Sequence, residues 1–274
     1  MQLLVSVRSA VEVRAALNGG ADIVDAKEPA RGALGAVSAE TLSEIVNQVP
    51  PTRAFSIALG DFSTVDAVEA AVASVQLPQR TAPSFLKLGF AGTRLPVGIR
   101  ELLSAAVQAA SRLASPPAVV AVGYADSERA DSISPDLLLT LAQETGTAGV
   151  LLDTYVKDGR GLLDWWTPIH LAAWLSEARG RRLITALAGS LSAGDVYAVC
   201  RVGPDVIGFR GAACDGGRSG QVSAERVRLL RQHMELEPAE MGDSSYAAKR
   251  GRETQDYAPY PGSTTSRKSR KNNN

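Results

Sequence analysis

Histidine, cysteine and aromatic side chains are scarce in this 274-residue sequence, and each shortage removes a class of chemistry. The two histidines, His170 and His233, both fall in segments of helical periodicity. That excludes a histidine-ligated metal centre and the Ser-His-Asp and Cys-His mechanisms. The two cysteines, Cys200 and Cys214, make neither a disulfide framework nor a C-x-x-C zinc site. Aromatics at 5% are too few for a single-stranded nucleic-acid platform. Charge of one sign is missing as well: 29 Lys and Arg balance 29 Asp and Glu, which excludes nucleic acid or an anionic membrane as the main partner. No apolar run approaches the ~20 residues of a membrane span. The segment Met1–Val7 has neither a basic region nor a small-residue cleavage site, so a cytoplasmic location is expected. Proton chemistry, if there is any, must run on Lys, Asp, Glu or Tyr.

What the sequence does have is a core and a rhythm. Apolar residues make up 45% of it, enough to bury a sizeable interior. Short β-rich runs at Leu3–Val7, Asp22–Ala26, Ala54–Leu59, Phe85–Gly89, Val119–Gly123, Gly149–Asp153, Leu183–Ala188 and Val206–Phe209 alternate with amphipathic stretches. Helices are expected at Ala10–Leu17, Ala39–Val49, Val65–Val75, Ile99–Leu113, Pro135–Thr145, Pro168–Ala178, Ala193–Arg201 and Ala224–Met234, three of them behind the N-caps Ser38, Thr64 and Ser223. Eight β/α units in ~235 residues match a (β/α)8 TIM barrel, an α/β fold. A doubly wound sheet is disfavoured because Ser6-Val7-Arg8-Ser9 after the first strand is no glycine-rich nucleotide turn. The barrel domain is placed at 1–236. Segment 237–274 reads as a low-complexity, disordered basic tail: from Gly242 it has no Leu, Ile, Val or Phe and a net charge of +4.

Barrel chemistry sits where strands end. The second run ends Asp25-Ala26-Lys27, with both ionisable side chains on one face of the strand. The fourth holds Lys87 between Leu86 and Leu88, and the sixth ends in Asp153 followed by Tyr155 and Lys157. A lone strand-end lysine ordinarily serves an ion pair. Three lysines and two aspartates on strands two, four and six can share a layer, where crowded, desolvated ammonium groups depress one another's pKa. A neutral lysine amine attacks carbonyl carbon, so Lys27, Lys87, Asp25, Lys157 and Asp153 point to Schiff-base chemistry. The turns after the last two strands bring Gly189, Ser190, Gly208 and Gly211 to the position of the common barrel phosphate site, with Arg210 as its bidentate partner. Cys200, Trp165, Trp166 and both histidines read as packing or surface residues, and Cys214 is not assigned as a nucleophile.

The blocks Asp25-Ala26-Lys27-Glu28-Pro29, Gly32–Ala36, Phe85–Gly89, Ala121–Asp126, Leu152–Gly159 and Gly208–Ala212 make the sequence specific. In this order it resembles the (5-formylfuran-3-yl)methyl phosphate synthase family of methanofuran biosynthesis, over residues 2–235. The resemblance implies a (β/α)8 lyase that joins two glyceraldehyde 3-phosphate molecules with loss of one phosphate and two waters. It assigns the Schiff base to Lys27 and proton abstraction to Lys87, and it places Asp25 and Lys157 in the same site. It calls for no metal and no cofactor. The expected partner is a small phosphosugar, with no nucleic acid and no membrane, and a homo-oligomer is compatible with it. Two other readings stand beside it: an aldolase- or dehydratase-like enzyme on another phosphosugar, and a non-catalytic barrel that binds a phosphorylated metabolite.

Overall fold

Alternation along the eight β-rich runs sorts their side chains onto the two faces of one closed sheet. In the computed structural model, which describes residues 1–235, the strands are β1 (Gln2–Val7), β2 (Ile23–Ala26), β3 (Ala54–Asp61), β4 (Ser84–Gly89), β5 (Ala118–Tyr124), β6 (Gly149–Asp153), β7 (Ile184–Leu187) and β8 (Val206–Phe209). They pair in parallel in chain order, and β8 closes on β1. The fold is the expected (β/α)8 TIM barrel. The segment 237–274, read from sequence as a tail, lies outside the described residues.

The helices are α1 (Ala10–Asn18), α2 (Ala39–Gln48), α3 (Val65–Ala73), α4 (Pro96–Ser111), α5 (Pro135–Glu144), α6 (Leu162–Trp165), α7 (Pro168–Gly180), α8 (Val196–Val202) and α9 (Ala224–Glu235). Ser38 and Thr64 cap α2 and α3 as expected, each accepting from the backbone N–H three residues on. Helix α4 starts three residues before the apolar period does, because Pro96 presets the first helical φ. Trp165 ends the one-turn α6, and Trp166 stacks on His170 at 3.9 Å and meets Trp174 edge-on. This is an apolar anchor for α7. Beyond β8, a two-stranded ribbon of β9 (Cys214–Asp215) and β10 (Gln221–Val222) carries a tight loop before α9.

Outward-facing strand residues such as Val5, Val24, Phe55, Leu86 and Leu88 pack with the helices into the main core. Truncating one of these leucines to alanine costs about 2–5 kcal/mol. Barrel interiors are ordinarily filled by bulky branched side chains. Here many inward positions are small or polar, among them Ser6, Ser56, Ala186, Ala188 and Gly208, and a cavity of about 520 Å³ is left open.

Candidate active site

Three lysines enter that cavity from β2, β4 and the turn after β6, and each faces a carboxylate. Asp25, on β2, lies in register with Ser6 on β1 and Ser56 on β3. Ser6 Oγ donates to Asp25 Oδ2 at 2.7 Å. Lys87 Nζ approaches Asp25 Oδ1 to 2.7 Å as an ion pair whose angles fall short of a hydrogen bond. Asp25 is fully buried and stands behind Lys87 and Ser6 rather than on the cavity wall.

The second carboxylate ends β6. Asp153 Oδ1 accepts from Lys157 Nζ and from the Thr154 N–H, both at 2.7 Å, and Lys157 also donates to Thr154 Oγ1 at 3.0 Å. Burial works to raise the Asp153 pKa. The charges of Lys157 and Lys27 and the two donated hydrogen bonds outweigh it and hold the carboxyl well below the usual range.

Lys27 lies between the two pairs. Its ammonium is 3.7 Å from Asp153 Oδ2 and donates no hydrogen bond among the described residues. Burial lowers its pKa to about 8; Asp153 opposes the shift, Lys157 and Lys87 add to it, and Asp25 opposes it weakly. At neutral pH roughly a tenth of such an amine is unprotonated, compared with about one part in several thousand at the reference pKa. An amine lowered this far can attack a carbonyl carbon.

The turn that carries Lys157 is held from β5. Buried Asp126 accepts from the Tyr155 N–H at 2.6 Å and the Val156 N–H at 3.0 Å, just before Lys157 in the chain. A carboxylate one turn past a strand is visible in sequence, but its two acceptors on the next β/α turn are not.

Gly189, Ser190, Gly208, Arg210 and Gly211 line the same cavity as the lysines. Gly189 has φ +111°, and a Cβ there would stand 2.9 Å from the Thr154 nitrogen, so glycine is required at this turn. Arg210 is corrected as a phosphate partner. Its guanidinium grips Glu12 at 2.5 and 3.0 Å and donates to the carbonyls of Ser6, Arg218 and Gly220, which uses all five N–H groups. The residue that sequence reading missed is Arg218, on the loop of the β9–β10 ribbon. Its Nη2 donates to the carbonyls of Pro29 and Gly32, while Nε and Nη1 have no acceptor among the described residues. It lines the cavity, and burial lowers its pKa against the pull of Asp153. Burial pushes the thiols of Cys200 and Cys214 up to about 11, in line with packing roles. Among the described residues no three His, Cys, Asp or Glu side chains converge on a metal-sized site.

The sequence carries one further signal for the lysines. Residues 1–248 contain nineteen arginines but only three lysines, Lys27, Lys87 and Lys157. Other cationic positions in this stretch are arginine, which sets the three cavity lysines apart from them.

A parallel barrel with a depressed lysine amine and lysine–carboxylate pairs where its strands end defines a (β/α)8-barrel enzyme. Residues 3–231 match the family described as 4-HFC-P synthase, and the chain belongs to that family. Relatives named (5-formylfuran-3-yl)methyl phosphate synthase include one from Methanosarcina mazei, 36% identical over 84% of this chain and 97% of its own. Another, from Methanocaldococcus jannaschii, is 32% identical over 85% of this chain and 99% of its own. Among solved structures, phosphoribosyl anthranilate isomerase from Thermus thermophilus superposes with a TM-score of 0.56 at 14% identity, over 85% of this chain and 98% of that one. A 3-hexulose-6-phosphate synthase gives 0.53 at 20% identity, over 85% and 99%. These two show the fold alone.

Proposed function

We propose that this enzyme is a Schiff-base lyase that makes (5-formylfuran-3-yl)methyl phosphate from two molecules of glyceraldehyde 3-phosphate, for a methanofuran-type one-carbon carrier. The observation that carries the reading is the Lys27 amine, brought to about 8 between two lysine–carboxylate pairs. The names of the relatives support the product.

Lys27 attacks the aldehyde of one triose, and loss of water forms the iminium. The iminium acidifies the C–H on the next carbon. Lys87 takes that proton, and Asp25 at 2.7 Å balances the charge. The electron pair left on carbon expels phosphate from the third carbon. Joining to the second triose and loss of water close the ring, and hydrolysis returns the water released in imine formation. Two three-carbon trioses thus give one six-carbon product, one phosphate and two waters. Asp153 keeps Lys27 oriented, and the positive charge of Lys157 helps to keep its own charge low. The phosphate groups are received by the glycine-rich turns at Gly189, Ser190, Gly208 and Gly211, with Arg218 rather than Arg210 as the guanidinium partner.

Incubation with glyceraldehyde 3-phosphate alone tests the reading. A near-ultraviolet furan absorbance, phosphate release and, after borohydride, a reduced adduct on Lys27 are expected. A saturated sugar phosphate in place of the furan would mark an aldolase, and label on Lys87 or Lys157 would overturn the assignment of the nucleophile.

A further inference from the structure

One buried hydroxyl on the wall of the catalytic cavity has no partner. Ser56 is 1% exposed and lines the cavity, and its Oγ meets neither donor nor acceptor among the described residues. Ser6, at the other end of the same row across β1, β2 and β3, is satisfied by Asp25. A buried hydroxyl left unpaired is costly to a fold, and an orphan on a cavity wall is explained by a group that arrives from outside the chain.

Its position says which group. Ser56 stands beside Asp25 and two residues below Ala58, whose lateral neighbour is Lys87. Around Ser56 the wall turns apolar, with Leu4 and Ile23 in the layer beneath it and Phe85 as its lateral neighbour on β4. A charged phosphate is unwelcome there, whereas a neutral hydroxyl can both give and accept one hydrogen bond, as serine can.

We infer that Ser56 recognises the substrate hydroxyl on the carbon next to the imine, the carbon from which Lys87 removes its proton. The inference rests on the Schiff-base reading above. A site built to hydrogen-bond a substrate hydroxyl discriminates strongly against an analogue that lacks it, because the site is then left with an unpaired polar group.

The test compares glyceraldehyde 3-phosphate with 3-oxopropyl phosphate, which lacks only that hydroxyl, by the concentration that half-saturates borohydride trapping on Lys27. The wild-type enzyme is expected to favour the hydroxylated substrate at least tenfold. Ser56→Ala should weaken that substrate and leave the deoxy analogue unchanged, so that the preference falls towards unity. Because Ser56→Ala removes an unpartnered oxygen, Tm should stay the same or rise, and Ser56→Thr, which keeps the hydroxyl, should retain discrimination. If Ser56→Ala keeps the wild-type preference while Lys27 is still trapped, the inference is wrong and the Schiff base stands. If neither compound is trapped on Lys27 in the wild-type enzyme, the Schiff-base reading fails and takes this inference with it.

Discussion

Lys87 on β4 and Asp25 on β2 meet at 2.7 Å inside the barrel although β3 lies between their strands. The small inward residues Ser56 and Ala58 of β3 leave the passage for that contact. Asp25→Asn is expected to leave the Lys87 ammonium buried without its counter-charge, at a cost of about 3–5 kcal/mol. Urea unfolding should show the loss, and turnover should fall with it. A variant as stable as the parent would show that the pair is not held in the folded protein.

The Lys27 amine sets a pH dependence. Trapping at Lys27 should rise about tenfold per pH unit below about 8 and level off above it, as the amine deprotonates. A midpoint near the reference lysine value of about 10.4 would contradict the burial argument. The sign for stability follows from the same shift. The folded pKa lies below the unfolded one, so the unfolded chain holds the extra proton between about 8 and 10.5, and this group's contribution to stability rises with pH through that window. Lys27→Met removes the buried ammonium, and at pH 7 it should raise stability by about 1–3 kcal/mol while abolishing trapping. Calorimetry beside the trapping assay checks both.

Arg210 and Arg218 should separate cleanly by mutation. Arg210→Ala takes the two-pronged guanidinium partner from buried Glu12 and leaves it the Arg8 N–H and a 3.7 Å contact with the Arg8 guanidinium, so a loss of about 3–5 kcal/mol in unfolding free energy is expected. Arg218→Ala should barely move Tm but raise KM by about ten- to a hundredfold, from a lost charge-assisted contact of roughly 1.5–3 kcal/mol. A stable Arg210→Ala enzyme with a raised KM would reverse the two assignments.

Asp126 should act on Lys27 through the turn it holds. Lys157→Met removes a positive neighbour of Lys27, so the midpoint of its trapping profile should move up from about 8. Asp126→Ala frees the Tyr155 and Val156 N–H groups that fix the same turn, and a smaller shift in the same direction is expected. An unmoved midpoint with lowered Tm would reduce Asp126 to a structural residue.

The eight strands and the helices between them were legible because periodicity and capping act over a few residues. Ser38 and Thr64 sit one turn from the N–H groups they cap, and Asp25 and Lys27 share a face because side chains alternate along a strand. The same local logic did not show α6, since a one-turn helix is too short to show a period.

Composition and spacing by themselves determined the barrel and put lysines and carboxylates at the ends of its strands. The tertiary structure decided the pairings: Asp25 to Lys87, Asp153 to Lys157, and Arg210 to a glutamate 198 positions away rather than to the cavity. It also left Arg218 open and Ser56 without a partner. Closing the sheet brings distant strand ends within hydrogen-bond reach, and whether an ionisable group faces its counter-charge or an open cavity depends on barrel stagger and helix packing, which no local stretch of chain encodes.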